Sequence, residues 1–464
     1  MKTWNQLFIR HGWLLVEEAE NQFNCEFETE NNLQFLFECL GRAEIPYVYH
    51  QRVLTLLENA IEEESWIESI DYPSRGRGEG LWFQPGLADP KVQELDLYIS
   101  GVVRQLNRLG FYTTGSCDGH DRRAPYVMLT KECQIEMLND VFLALDIRRV
   151  HCREHRNYYL FKFPQSKNGL LDVAEKMGQI DESWLGNDVD LLKEQLFCKL
   201  VEELLMIPGE SGNEYKVRQF TIDKLSPLVD YLTIDHAGNV LAEKTYRGGN
   251  GPTILLNAHL DIVCELEKNR KIVKNGPIWS SSKGILGADD RAGIAIILWV
   301  MEQLLHSPFS GKVKVIFTVE EENGLVGARR VDDYFLWGTD AAVVVDRRGS
   351  GDIVTSCGGY ISFCHPEYGS FFEKVAYREG LSSWATTAGG SSDTRIWAEH
   401  GIQSVNLSAG YRNEHTDDEQ LDVFACYQTV KLLNGIFKTG NELRSLVRKI
   451  KRKQPASRQW KKAQ

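Results

Sequence analysis

The 464-residue chain is 42% hydrophobic and 25% charged, enough apolar material for more than one buried core and longer than a typical single domain. Its formal net charge of −12 offers no broad attraction for phosphate backbones or anionic lipid, which excludes nucleic acid and membrane surfaces as expected partners. The opening stretch MKTWNQLFIRHGWLLVEEAE lacks the uninterrupted apolar core and small-residue cleavage site of a signal peptide. A cytoplasmic location is therefore expected, where most of the ten cysteines would remain thiols.

Residues 1–70 read as an acidic helical segment, with glutamates crowded between 17 and 30 and again at 62–64. DYPSRGRGEG at 71–80 breaks that pattern. Beyond it, helix-like KVQELDLYISGVVRQLNRLG and KECQIEMLNDVFLAL alternate with strand-like FYTTGS, YVMLT and NYYLFKF, so 71–188 is expected to form a small α/β or α+β domain of unknown role. Here Cys117 and His120 of SCDGHDRR, with Cys152 and His155 of HCREH, make two Cys-x-x-His pairs. They supply the donors of a tetrahedral zinc site without the spacing of a strict finger, and a packed loop is the alternative reading.

The helical stretch LLKEQLFCKLVEELLMI opens the next segment, expected over 189–440. There the strand-like runs TILLNAH, VKVIFTV, AAVVVD and QSVNLSA are separated by helical segments beginning near Asp290, Val326 and Ser392. This alternation predicts an α/β unit, a mainly parallel or mixed sheet sandwiched by helices, with the N-terminal α+β domain as an addition. The apolar run GIAIILWVM at 293–301 is about half the ~20 residues that a membrane span needs and reads as a core helix. After Phe437 the character changes, and Lys449, Lys451, Arg452, Lys453, Lys461 and Lys462 crowd together. Residues 441–464 are expected as a solvated basic tail, with docking onto the acidic N-terminal helices as the alternative.

The polar residues of 189–440 fall at strand ends. His259 ends TILLNAH, Glu321 and Glu322 follow VKVIFTV, Asp346 ends AAVVVD, and His415 follows QSVNLSAGYRNE. In an open parallel sheet the carboxyl ends of the strands share one edge, so these distant residues are expected to converge. Asp289 joins them from LGADDRAG, where Gly287 permits a tight turn into the next helix. Two imidazoles and three carboxylates form a ligand set for zinc, manganese or cobalt rather than the thiolate-rich set of structural zinc. If one carboxylate bridges, five residues give each of two ions three ligands and leave room for a shared water. Glu321, beside Glu322 but on the other side of the chain, is then placed as a general base.

NAHLDIV, LGADDRAG, FTVEEENGLVGA, VVVDRRG and NEHTDDE, preceded by MIPGESGNEYKVRQF and DHAGNVLA, resemble in content and order the co-catalytic di-zinc exopeptidases. That clan includes tripeptidase T, the deblocking glutamyl aminopeptidases and the compact leucyl-type bacterial aminopeptidases, and the resemblance spans about 191–437. It implies that Asp289 bridges two ions, with His259 and Asp346 completing one site and Glu322 and His415 the other. It further implies Glu321 as general base, Asp261 as support for the metal-bound imidazole, and a cis peptide between Asp289 and Asp290. The chain between Asp346 and His415 is too short for the full tripeptidase T insertion, and that between Asp261 and Asp289 too short for the glutamyl aminopeptidase one. The unit therefore looks most similar to the compact group.

Arg347 and Arg348 follow a metal ligand directly, where either could bind a substrate carboxylate or pair with nearby acids. Gly389, Gly390 and Ser391 resemble the family's glycine-rich substrate loop, with a helix start capped by Ser391 or Ser392 as the alternative. The expected function is a metal-dependent exopeptidase, an aminopeptidase on short peptides that uses two divalent ions, zinc first with cobalt or manganese open. Hydrolysis of N-acyl amino acids or other small amides stays open, as does a non-catalytic binding protein on the same fold, and a homo-oligomer is compatible with either.

Overall fold

The computed structural model describes residues 2–71, 75–76 and 90–453. The chain divides into two compact units at Leu196 and Phe197, a point inside the helix Val189–Leu205 that was expected to open the second domain. Among the described residues no helix is long and apolar enough to cross a membrane. Most of the break expected at 71–80 lies outside the described residues.

The first 70 residues are not uniformly helical. Helices Trp4–His11, Glu30–Arg42 and Glu63–Ile70 accompany a four-stranded antiparallel sheet in the order Val16–Ala19, Gln22–Asn24, Val53–Leu56, Tyr47–His50. The expectation of an all-helical segment fails because each strand has only three or four residues, too few to display alternation. The hairpins turn at left-handed residues, Asn21 in one and Gln51 with Arg52 in the other. A second antiparallel sheet follows in the order Thr113–Cys117, Tyr126–Thr130, Tyr158–Lys162, His151–Glu154. Helices Ser100–Arg108, Ile135–Ala144 and Lys167–Met177 complete an α+β arrangement. Ion pairs made by two buried arginines stitch the two halves of this unit together. Arg104 donates to Glu28 at 2.7 Å, and Arg10 reaches Asp172 and Glu175, each at 2.7 Å.

The second unit is built on a nine-stranded mixed sheet. Its centre is four parallel strands in the spatial order Gln403–Ser408, Ala341–Arg347, Thr253–His259, Gly311–Thr318. Val240–Tyr246 pairs antiparallel on one side and Asp352–Cys357 on the other. Alternate side chains of the central strands enter two cores. Ile254, Leu256, Val313, Val315 and Val343 face helices Ala288–Leu304, Pro366–Arg378 and Val423–Lys438. Leu255, Ile316, Ala342 and Val344 face the short helices Val326–Arg330 and Asp393–Glu399. Apolar residues at consecutive positions thus follow from burial on both faces of the sheet. The Ala288–Leu304 helix lies so close to the sheet that a Cβ on Gly293 would meet the Val345 carbonyl oxygen at 2.0 Å.

The segment expected as a basic tail is, from Gly440 to Lys453, a helix that buries Leu443, Val447 and Ile450 in the larger core. Spacings of four and three residues put all three on one face, while Lys449, Lys451 and Lys453 pair with Glu367 and Asp340 outside. Residues 454–464, with Lys461 and Lys462, lie outside the described residues. Truncating Ile450 to Ala is expected to lower the unfolding free energy of the full chain by about 2–5 kcal/mol. Lys453→Ala should stay within about 0.5 kcal/mol, both read by urea denaturation.

Candidate metal centre

Parallel pairing brings the strand ends together. His259 and Thr318 are register partners at the carboxyl ends of adjacent strands, and Glu320, Glu321 and Glu322 follow directly. Asp346 sits where its strand shifts register between Val344 and Arg347, a bulge that re-aims its side chain. A small antiparallel sheet, ordered Ile272–Asn275, Ile278–Ser281, Gln420–Asp422, Tyr411–Arg412, brackets the loop 413–419 and so presents His415. Asp289 enters at the start of the Ala288–Leu304 helix through a cis peptide to Asp290, as the family resemblance implied.

The five expected ligands meet around Asp289. Its Oδ1 lies 3.1 Å from His259 Nε2 and its Oδ2 lies 3.3 Å from His415 Nε2. The same His259 nitrogen is 3.6 Å from Asp346 Oδ1, and the same His415 nitrogen is 2.8 Å from Glu322 Oε1. Donor atoms of His259, Asp289 and Glu322 all lie within 4.8 Å of one another, as do those of His259, Asp290 and Asp346. His259 Nδ1 faces the Asp261 carbonyl oxygen at 3.0 Å and therefore carries the hydrogen. Its Nε2 lone pair then points at two carboxylates. Acceptor facing acceptor is repulsive unless a proton or a cation stands between them, and a nitrogen and oxygen donor set of this kind fits a divalent metal.

The electrostatics carry the same sign. Burial, together with Asp346, pushes the Glu321 carboxyl up to about 10, and burial pushes Glu322 up to about 7. Although burial opposes it, Asp289 is held below the ordinary carboxylate range when the two imidazoles beside it, His259 and His415, carry a proton toward it. The hydrogen bond to Asp289 lifts His415 to about 9. Carboxylates crowded in a dry site resist ionisation until positive charge enters it.

Residues that the strand-end pattern did not reveal hold this arrangement in place. Glu419, buried, accepts from the backbone N–H groups of Gly287, Ala288 and Asp289 at 2.7, 2.8 and 3.1 Å. Asp261 accepts from Ser211 Oγ and from the backbone N–H groups of Glu321 and Glu322, at 2.7, 2.9 and 3.1 Å. Tyr411 donates its hydroxyl to Asp346 Oδ1 at 2.9 Å, and Asn406 fixes the Asp346 backbone from both sides. Asp290 accepts from the backbone N–H groups of Gly293 and His259. Thr318 donates to Asp393, whose carboxyl burial pushes up to about 7. An asparagine within the strand-like run QSVNLSA and a tyrosine just after it were the signals available for Asn406 and Tyr411. Glu419 stands in an acidic run, TDDE, where nothing separates the inward residue from its exposed neighbours.

Arg347 pairs with Asp352 and Arg348 with Glu414, each at 2.9 Å, the alternative to substrate binding that the sequence left open. Both also line a cleft of about 480 Å³ with Gly349, Ser350, Asp352, Arg412, Asn413 and Glu414. Gly389 is closed off, because a Cβ there would meet Val354 Cγ1 at 2.6 Å, whereas Gly390 faces open space and Ser391 is exposed. Ser392 stands at the helix N-cap without a capping bond; its hydroxyl donates to Thr394 and accepts from Asn406.

The four-residue zinc site expected from Cys117, His120, Cys152 and His155 does not form. Cys152 pairs with Phe161, Phe161 with Val127, and Val127 with Ser116. Cys152 therefore stands three interstrand steps, roughly 14 Å, from the strand that carries Cys117. His155 stacks on Tyr158 with ring centroids 4.6 Å apart.

A model of the M42 glutamyl aminopeptidase family matches residues 266–432, a span that includes Asp289, Glu321, Glu322, Asp346 and His415 and begins after His259. The Bacillus subtilis protein YqjE is 32% identical over 156 residues, 32% of this chain and 40% of that protein. Peptidase T of Clostridium botulinum is 31% identical over 171 residues, 33% of this chain and 41% of that protein. The chain thus spans about two fifths of the length of these curated relatives. Among solved structures, aminopeptidase PepT from Bacillus cereus aligns over 53% of this chain and 98% of its own, with 18% identity and a TM-score of 0.48.

Replacing Glu419 by Ala strips three buried N–H groups of their acceptor. It is expected to destabilise the chain by about 1–3 kcal/mol and to weaken divalent-metal binding by about 10–100-fold, measured by denaturation and equilibrium dialysis.

Proposed function

We propose that the second unit hydrolyses peptide bonds as a metal-dependent aminopeptidase, with His259, Asp289, Glu322, Asp346 and His415 as ligands to two divalent ions. The observation that carries this reading is the division of the Asp289 carboxylate between two imidazoles, each backed by a further carboxylate. The M42 match and the similarity to peptidase T support the same chemistry. Zinc is the metal proposed, and cobalt or manganese would accept the same donors. Bound there, such a pair of ions would supply an activated water and a polarised scissile carbonyl.

The chain's own residues do the remaining work. Glu321 is the proposed general base: its carboxylate takes a proton from the attacking water and returns it to the leaving amine. Its backbone and that of Glu322 hang on the two oxygens of Asp261, whose carbonyl also faces His259 Nδ1. One residue therefore sets the tautomer of a ligand and the position of the base. The cleft beside Asp346 and His415 is proposed to hold the far end of a short peptide. Arg347 and Arg348 are already paired there, and among the described residues Arg412 has no ion-pair partner, which suits it to a substrate carboxylate. Gly390 and Ser391, open on their outer side, are proposed to run along the peptide backbone.

Glu321→Gln in the full chain should retain its bound metal while kcat on a short-peptide panel falls at least about a hundredfold. Equal turnover would remove Glu321 from the mechanism. Arg412→Ala should raise KM roughly tenfold or more for peptides with a free carboxylate, and leave their amidated counterparts unchanged.

A further inference from the structure

The first unit gathers a second set of ligand-type side chains, separate from the carboxylate and imidazole centre. Donor atoms of Asp96, Cys117, Asp118 and His120 all lie within 4.8 Å of one another. They come from two places in the chain: Asp96 just before the helix Ser100–Arg108, and the other three at the end of the strand Thr113–Cys117 and the turn after it. Left-handed backbone at Gly119, His120 and Asp121 folds that turn back on itself.

Two features of the cluster call for a cation. Asp96 and Asp118 are 9% and 6% exposed, and they face one another: the Asp118 N–H donates to Asp96 Oδ2 at 3.2 Å. Among the described residues neither carboxylate has a lysine or arginine within ion-pairing distance, and His120 is the one basic group against both. Its Nδ1 lies 3.1 Å from Asp118 Oδ1 and its Nε2 lies 3.6 Å from Asp96 Oδ2. The nearest cationic side chain to these two buried carboxylates is thus a largely exposed imidazole, with Arg123 and Lys167 acting on Asp96 and Asp118 from beyond ion-pairing distance, so a cation placed between the carboxylates would be attracted by both. The second feature is the sulfur. Cys117 Sγ accepts from the Gly119 N–H at 3.4 Å and from Arg123 Nη2 at 3.2 Å, and it stands within 4.8 Å of the other three donor atoms, a soft ligand beside two carboxylates. A further residue stands against the cluster. A Cβ on Gly76 would meet Asp96 Oδ1 at 2.2 Å, so the Gly76 backbone lies directly against that carboxylate.

We propose that Asp96, Cys117, Asp118 and His120 bind one divalent metal ion of the zinc class, pinning the turn after Cys117 to the segment that leads into the Ser100–Arg108 helix. One sulfur, one nitrogen and two carboxylate oxygens suit zinc or cobalt and disfavour magnesium and calcium, which take oxygen alone. The site keeps Cys117 and His120 from the pairing suggested by the sequence and replaces Cys152 and His155 with two aspartates.

The test uses the full chain, stripped by chelator and titrated with Co(II). The expected result is a thiolate-to-cobalt charge-transfer band in the near ultraviolet that saturates by three equivalents, with the final amplitude of one cobalt–thiolate site per chain. Cys117→Ser should abolish it, His120→Ala should weaken its Co(II) affinity at least about tenfold, and Cys152→Ser should leave it unchanged. His120 is largely exposed, so that variant keeps the test valid if Cys117→Ser fails to fold by circular dichroism. No band in the unmodified chain, or one that persists undiminished in folded Cys117→Ser or in His120→Ala, would overturn the proposal. The proposed peptidase centre contains no thiolate, so its success or failure is read separately, by hydrolysis.

Discussion

Two imidazole nitrogens aimed at opposite oxygens of one buried carboxylate are the constraint on which the second unit turns. His259 and His415 both face Asp289, and behind each stands another acid, Asp346 or Glu322. Such a set repels itself in a medium of low polarity unless positive charge occupies its centre. The topology makes the encounter unavoidable. Parallel pairing of Thr253–His259 with Gly311–Thr318 and Ala341–Arg347 delivers three strand ends to one edge of the sheet, and the small sheet around 411–422 brings His415 to meet them.

Holding carboxylates close together requires that they be anchored by something other than each other. The solution recurs throughout the site: acids outside the five accept backbone N–H groups and fix the segments on which the five are mounted. Glu419 holds the turn at 287–289, Asp261 the start of the glutamate run, and Asp290 the first turn of its helix against His259. Each bond to a charged acceptor is worth about 1.5–3 kcal/mol, enough in sum to keep the ligands at the separations seen. The chain therefore devotes as many acids to supporting the centre as to forming it.

The five clustered residues were legible in the sequence because all belong to motifs in a familiar order, and His259 and Asp346 also stand at the ends of apolar strands. The central sheet was legible for the same reason, since strands buried on both faces leave long apolar runs. What escaped was short, or was masked by charge. Strands of three or four residues in the first unit show no period, and Glu419 is indistinguishable from Asp417 and Asp418 until the loop is closed. The stripe Leu443, Val447 and Ile450 is masked in the sequence because Arg444, Arg448 and Lys449 stand between its members. Cys152 misled because spacing along the chain says nothing about how many strands intervene between two hairpins.

The proposed chemistry of the second unit requires Asp289 to lie between two cations. Anomalous diffraction from crystals of the full chain grown with zinc measures this directly. Two peaks should flank the Asp289 carboxylate about 3.5–4 Å apart, one against His259 and Asp346, the other against His415 and Glu322. A single peak there, or none within reach of Asp289, would contradict it.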